Sequence, residues 1–361
     1  MKELEIKFNG KQNDSHIIEQ LKQEEYPLYI WGIGNVANEV YEILQENDVA
    51  LAGAFIDVLS NQQTKFKDYP VQSLQELHQR GQKISVIMGH AQYHKMRDLK
   101  EYSIIENVYY ILNPFRTHEE ISQQFYEENK NSYLEGYNLF EEEYSQKVFE
   151  SFLNTRINSD IKYLLDVFQK PINFFDNDVF QVNENENMVD IGAYTGDTIE
   201  MLCRVTGGKY RNIYAFEPDT HFFEILNQKI ENKHWKNVYT YQLGIWNEDT
   251  VLSFEADNQQ SGRLTEEVQS ECKIEVVSLD HILAEKEVSC IKVAISTGNY
   301  QVLLGAKNII QKYRPKIAMI IGINKTDIYE IPLLLRHILP EYQLYLRYCE
   351  SMPSRLTLFA V

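Results

Sequence analysis

Two short stretches carry the residue types from which a nucleoside site is built. In the first, Met188, Val189 and Ile191 surround Asp190 and run into Gly192-Ala193-Tyr194-Thr195-Gly196-Asp197-Thr198. An apolar run that ends in glycine reads as a buried parallel strand entering a tight turn. Gly192 and Gly196 remove side chains where the backbone must bend and a ligand must come close, and Asp197 and Thr198 are placed to cap the following helix. In the second stretch, an apolar strand from Ile213 to Phe216 ends at Glu217-Pro218-Asp219. An acid at the end of that strand, about twenty residues beyond the glycine turn, is where dinucleotide folds hold ribose hydroxyls. The glycines are not spaced Gly-x-Gly-x-x-Gly, so no pyrophosphate cradle is indicated. An adenosyl group without phosphates fits the pattern.

Taken together, Val189 to Thr198 and Phe216-Glu217-Pro218-Asp219 resemble the FkbM-type family of S-adenosylmethionine-dependent methyltransferases, over roughly residues 172–361. The resemblance implies S-adenosylmethionine as cofactor and a sugar or glycan hydroxyl as methyl acceptor. It also implies a cofactor set of Asp190, Gly192, Ala193, Tyr194, Gly196, Asp197, Thr198, Glu217, Pro218 and Asp219. Members of that family are similar in reading Ile-Lys-x-Asp-x-Glu-Gly-x-Glu at a later strand, with three carboxylates beside the methyl donor. Here the chain reads Ile291-Lys292-Val293-Ala294-Ile295-Ser296-Thr297-Gly298-Asn299, so the acids are replaced by Ala294, Ser296 and Asn299. Leu303-Leu304-Gly305-Ala306 and Tyr313-Arg314-Pro315 follow in family order and hold the register. Further on, Gly322-Ile323-Asn324-Lys325-Thr326-Asp327 stands where many relatives read Tyr-His-Lys-x-x-Asp and keeps only Asp327.

Methyl transfer to a hydroxyl needs a group to take the proton. Ala294 cannot, Ser296 and Asn299 are not bases at neutral pH, and Lys292 serves only if burial lowers its pKa substantially. No catalytic residue is therefore assigned from sequence, and two function classes stay open. One is a working methyltransferase that draws its base from elsewhere. The other is a degenerate pseudo-methyltransferase that binds or scaffolds, with a protein partner, in glycan or polysaccharide biosynthesis.

The elements that position these residues are those of an α/β chain. Leu28 to Trp31 reads as a strand entering Gly32-Ile33-Gly34-Asn35-Val36-Ala37, a Gly-x-Gly-x-x-Ala turn, and a second strand, Val49 to Ile56, ends at Asp57. A helix near Ser73 to Arg80 and a strand Ile84 to Met88 followed by Gly89-His90 complete a small Rossmann-like unit. It resembles nucleotide-binding units attached to some sugar-modifying enzymes, and Gly32, Gly34, Asn35, Asp57 and His90 form a second candidate site for a nucleotide or nucleotide sugar. His90 and His94 are four apart and can share a helix face, but no further ligands accompany them and no metal site is expected.

The expected architecture is an N-terminal Rossmann-like unit over residues 1–116, a helical connector over 117–170, and a Rossmann-like methyltransferase unit with a seven-stranded sheet over 171–361. The connector carries a stripe of Phe140, Tyr144, Val148 and Phe152 at helical spacing, which reads as packing. Pro171 to Phe180 reads as an extended lead-in, and the polar insertion Glu255 to Gln269, with Ser261-Gly262-Arg263, as a mobile loop able to fold over an acceptor.

Composition bounds the rest. The chain has 361 residues, 43% of them hydrophobic, and a formal net charge of −18. Such a length exceeds one typical domain, and so acidic a surface repels phosphate backbones, which argues against nucleic acid; the small-molecule or glycan acceptor is what the family resemblance implies. Cys203, Cys272, Cys290 and Cys349 lack Cys-x-x-Cys spacing, so neither a disulfide framework nor a zinc site is indicated and a cytoplasmic location is expected. Met1 to Asn9 lacks an apolar core of signal-peptide length and the apolar runs are strand-sized, so no membrane span is expected.

Overall fold

A computed structural model of the chain describes residues 3–10, 14–57, 65–168, 174–175, 178–256, 262–265, 272–348 and 352–361. Much of the expected lead-in Pro171 to Phe180 and of the insertion Glu255 to Gln269 lies outside them.

The first unit begins with α1 (Ser15–Lys22), β1 (Leu28–Trp31), α2 (Asn35–Glu46) and β2 (Gly53–Ile56). It continues through β3 (Lys65–Phe66), β4 (Tyr69–Ser73), α3 (Leu74–Arg80), β5 (Ile84–Met88), α4 (Met96–Leu99) and β6 (Ile105–Tyr109). These strands form a six-stranded sheet of order β3-β4-β2-β1-β5-β6, parallel except for the β3–β4 pair. Three of its strands, β1, β2 and β5, are apolar and buried because helices cover both faces. The second strand is shorter than the apolar run Val49 to Ile56, since the Val49 N–H instead closes α2 on the Leu44 carbonyl at 2.9 Å. Ser73 caps α3 in a capping box with Glu76. His90 and His94 do not share a helix: His90 lies in the turn after β5, and His94 sits in a 3-10 turn over Tyr93–Lys95 with its ring stacked on Phe168.

Three helices follow, α5 (Gln123–Asn138), α6 (Glu143–Asn158) and the short α7 (Lys162–Leu165). Of the expected stripe, Val148 and Phe152 are buried on α6 and Tyr144 is half-buried, its hydroxyl donating to the Val167 carbonyl at 2.6 Å, whereas Phe140 is buried in the turn before the helix. The polar leader is not loose. The Asn154 carboxamide on α6 accepts from the Lys7 N–H at 2.7 Å and donates to the Glu5 carbonyl at 3.1 Å, and Asn158 does the same for Asn9 and Lys7 at 2.9 and 2.7 Å. Two asparagines one helical turn apart thus imitate a neighbouring strand. Arg156, on the same helix, donates to the carbonyls of Glu119 and Gly322.

The second unit runs β7 (Asn187–Ile191), α8 (Asp197–Thr206), β8 (Asn212–Phe216), α9 (Thr220–Lys233), β9 (Val238–Tyr241), β10 (Gly244–Trp246), β11 (Thr250–Ala256), β12 (Gly262–Thr265) and β13 (Lys273–Ser278). It ends with α10 (Leu279–Ile282), β14 (Cys290–Val293), α11 (Asn299–Leu304), α12 (Lys307–Tyr313), β15 (Lys316–Ile321), α13 (Asp327–Ile338), β16 (Leu344–Arg347) and β17 (Leu356–Ala360). Its seven-stranded sheet has the order β16-β17-β15-β14-β7-β8-β9. Strands β15 to β9 in that order are parallel, and β17 runs antiparallel to both its neighbours, β15 and β16. Where a loop was expected, β12 pairs antiparallel with β11 in a separate four-stranded sheet of order β10-β13-β11-β12. Both Rossmann-like units are thus present.

The two units are not independently cored. One buried apolar cluster runs from Trp31 and Phe55 through Tyr126 and Phe152 to Ile291 and Leu346. Helix α5 closes on α13 at Gly136, where an added Cβ would lie 2.7 Å from the Tyr329 Cβ. Buried Arg347 ties β16 to α6 through Glu142 at 2.7 Å and to Asp178 at 2.6 Å. Among the described residues no helix is long and apolar enough to cross a membrane, and no group of three or more His, Cys, Asp or Glu side chains is arranged to hold a metal.

Candidate functional site

In the second unit, chain order moves outward from β7 to β8 and β9, then returns to the other side of β7 at β14. Ligands of open α/β sheets lie outside the carboxyl ends of the strands at such a reversal. The glycine turn after β7 and the Ala294–Gly298 turn after β14 therefore flank the crevice, with Glu217 at the end of β8.

Gly192 has φ +72°, and a Cβ there would meet the Ala294 carbonyl oxygen at 2.3 Å. Its missing side chain serves the contact between the two turns, a tighter requirement than ligand approach. Gly196, at φ +76°, is itself the cap residue of α8. Asp197 is the first helical residue and accepts from the Thr198 N–H at 2.9 Å, so the expected side-chain cap by Asp197 and Thr198 does not form. Between the glycines, Tyr194 is held at φ +49°, uncommon for a residue with a Cβ. Its ring lies 4.3 Å from that of Phe222.

Glu217 is 7% exposed. Its carboxylate accepts from the Tyr194 N–H at 2.8 Å and the Asp219 N–H at 3.0 Å, so it fixes both halves of the turn. Burial raises its pKa and those two backbone donors pull it back. Each oxygen takes one N–H and keeps a lone pair for a further donor. The sequence-assigned residues divide accordingly. Gly192, Tyr194, Glu217 and Pro218 are only partly buried or border the crevice, Ala193 and Thr198 are packed inside, Asp197 is exposed, and Asp219 caps α9 by accepting from the Phe222 N–H at 3.0 Å.

Asp190 is fully buried, and Lys292, 3% exposed, lies beside it with Nζ 2.9 Å from Oδ1. The ammonium's own hydrogen bond goes to the Gly192 carbonyl at 2.8 Å. Burial lifts the Asp190 pKa to about 6 and the charge of Lys292 opposes that rise. In the β7–β14 register Lys292 stands opposite Asp190. Lys292 thus belongs to the frame of the site rather than to proton transfer. A lysine centred in an apolar strand was the available signal, since such residues are almost never fully buried unless paired.

The three positions that lack the family's acids hold no base. The Ala294 N–H bonds Ile191 at 3.0 Å, and buried Asn299 donates to the Ile320 carbonyl at 3.0 Å. Asp327 accepts from the Gly322 N–H, the Asn324 N–H and the Asn324 carboxamide at 3.3, 3.4 and 3.1 Å, so it clamps its own turn. Burial raises its pKa to about 6. Because the folded value lies above the unfolded one, its contribution to stability is complete below about pH 4 and lost as pH rises through about 6. Asp327→Asn keeps the shape without the charge. Its melting temperature relative to the native chain is expected to climb between pH 4 and pH 7, by the equivalent of at most about 3 kcal/mol. A difference that does not vary with pH, measured by calorimetry across that window, would sink this assignment.

In the first unit the same reversal lies between β1 and β5, and Gly32, at φ +111°, would place a Cβ 2.7 Å from the Gly89 carbonyl oxygen. Gly34 starts α2 without a side-chain cap, and Asn35 is exposed beside it. Asp57 accepts from the Trp31 indole N–H at 2.9 Å. The His90 ring meets Trp31 edge-on at 4.5 Å, and burial lowers its pKa to about 4.

The methyltransferase FkbM domain model matches residues 190–350. The methyltransferase FkbM of Methylobacillus flagellatus KT is similar over 97% of this chain and 94% of its own, with a TM-score of 0.68 and 16% identity, a likeness of fold that extends through both units. An rRNA methylase from Streptococcus thermophilus is similar over 50% of this chain and 87% of its own, with a TM-score of 0.32 and 13% identity. Aeropyrum pernix fibrillarin, solved with natively bound S-adenosyl-L-methionine, is similar over 50% of this chain and 69% of its own, with a TM-score of 0.33 and 9% identity. No curated protein sequence matches the chain. Residues 190–350 thus match the methyltransferase FkbM domain model, and the chain as a whole shares its fold with the Methylobacillus flagellatus protein.

Proposed function

We propose that the chain is an S-adenosylmethionine-dependent methyltransferase acting on a hydroxyl of a sugar or glycan. The observation that carries this reading is Glu217, a buried carboxylate held by two backbone N–H groups at the strand end beside the reversal, with acceptor capacity left for two ribose hydroxyls. The cofactor would supply an activated methyl group on sulfur. Glu217 orients the ribose, Tyr194 and the turn from Gly192 to Gly196 shape the wall beside it, and the Asp190–Lys292 pair fixes that turn through the Gly192 carbonyl.

A second reading, binding without turnover, is favoured by Ala294, Ser296 and Asn299, which leave the family's acidic positions without a carboxylate. Titration calorimetry with S-adenosylhomocysteine tests the shared premise, and micromolar affinity is expected. No heat at high micromolar ligand from a folded sample would remove cofactor binding from both readings. Turnover is tested by methyl transfer from labelled cofactor to glycan hydroxyls, with Ala294→Asp/Ser296→Glu as comparator. A native chain that methylates faster than the restored one ends the pseudoenzyme reading, whereas activity found only after restoration supports it.

A further inference from the structure

The first unit has a cleft that the glycine turn does not line. It lies outside the ends of β1 and β2, between α3 and α4, with a volume of about 470 Å³. Its walls include Trp31, Asp57, Leu74, Lys95, Asp98 and Tyr102. That volume and a mostly apolar lining with a few convergent polar groups are those of small-molecule sites.

The polar groups narrow the occupant. Asp57 is held in place from two sides, by the Trp31 indole N–H at 2.9 Å on Oδ1 and by the Lys95 ammonium 3.4 Å from Oδ2. A carboxylate so fixed retains a lone pair on each oxygen, the geometry that accepts two adjacent hydroxyls. Asp98 adds a second carboxylate against the single ammonium of Lys95, which disfavours a phosphate inside the cleft. Leu74, Leu99 and the ring of Tyr102, packed 5.9 Å from that of His78, offer apolar surface to a ring. Gly32, already filled by its contact with Gly89, and Gly34 and Asn35 line no part of it, so the phosphate-cradling arrangement expected of the Gly-x-Gly-x-x-Ala turn is not joined to this cleft.

We infer that this cleft is a second ligand site that takes an uncharged ring bearing vicinal hydroxyls, with Asp57 accepting the diol and Lys95 donating to one of its oxygens. A ribonucleoside and a free glycoside share that chemistry. The inference stands apart from the cofactor reading of the second unit.

The test is titration calorimetry on the full chain, native and Glu217→Ala, with adenosine, uridine, their 2′-deoxy counterparts and methyl glucoside, binding that survives Glu217→Ala being binding outside the other crevice. At least one diol is expected to bind with a Kd below about 1 mM, a weak but specific affinity. Binding of ribonucleosides at least about tenfold above their 2′-deoxy counterparts identifies the nucleoside as source, and binding of methyl glucoside identifies the sugar. Asp57→Asn, which keeps an oxygen for Trp31, is expected to weaken binding about tenfold or more, as loss of a charged acceptor does. Gln75→Trp, placed on the exposed face of α3 at the cleft, is expected to block it without changing the melting temperature. Absence of binding by every probe overturns the inference, and so does binding that both variants leave unchanged.

Discussion

Glu217→Ala lowers the affinity for S-adenosylhomocysteine about a hundredfold or more. The change removes a buried acceptor at the crevice and releases the N–H groups of Tyr194 and Asp219 from it. Two hydroxyl donors lose a charged partner, each such bond contributing about 1.5 kcal/mol or more, and a total of about 3 kcal/mol corresponds to that factor. Part of the loss arises because Tyr194, at φ +49°, is no longer held in its left-handed conformation. Glu217→Gln separates the two effects. Its oxygen can keep one backbone donor while its amide opposes a second hydroxyl donor, so an intermediate affinity is expected. Calorimetry at equal folded fraction reads both variants. Native-like affinity in Glu217→Ala would mean that the adenosyl group does not rest on β8.

Lys292→Met costs about 3–5 kcal/mol of stability, because it leaves the Asp190 carboxylate buried without its charge partner. Methionine fills much of the lysine volume, so the loss reports charge more than packing. Asp190 responds by holding its proton to higher pH than in the native chain, where Lys292 restrains the rise caused by burial. The double variant Asp190→Asn/Lys292→Met removes both charges and is expected to recover at least half of the loss, a coupling visible in a denaturant-melt cycle. Additive costs would show that the two side chains do not act as a pair. The single variant also frees the Gly192 carbonyl, so cofactor affinity should fall with stability.

The parts of this site that lie within one strand, turn and helix were legible in the sequence. Apolar runs marked β7 and β8, the glycines marked the turn, and Glu217 stood as an acid at the end of β8, where the proposed ribose contact needs one. What was not legible depends on neighbours distant along the chain. Lys292 reads as an isolated charge until β14 pairs with β7 and brings it opposite Asp190. Gly192 reads as room for a ligand until the Ala294 carbonyl is found 2.3 Å from where its Cβ would be. The polar leader carries no apolar periodicity, and its order comes from asparagines on α6 about 150 residues later. Strand β12 was read as loop because an edge strand of a small sheet needs no apolar run.

That asparagine ladder has a mechanical consequence. The chain enters the first unit from residues tied to Asn154 and Asn158, and leaves it through Glu119, whose carbonyl is held by Arg156 and whose N–H bonds Ile323 at 3.1 Å. Entry and exit are therefore both moored to the same helix and its neighbour. A body moored at one point can swing in any direction, whereas one moored at two can turn only about the line that joins them. These groups on α6 thus leave the first unit a single axis of rotation, and the buried apolar cluster that runs through both units packs against that remaining motion.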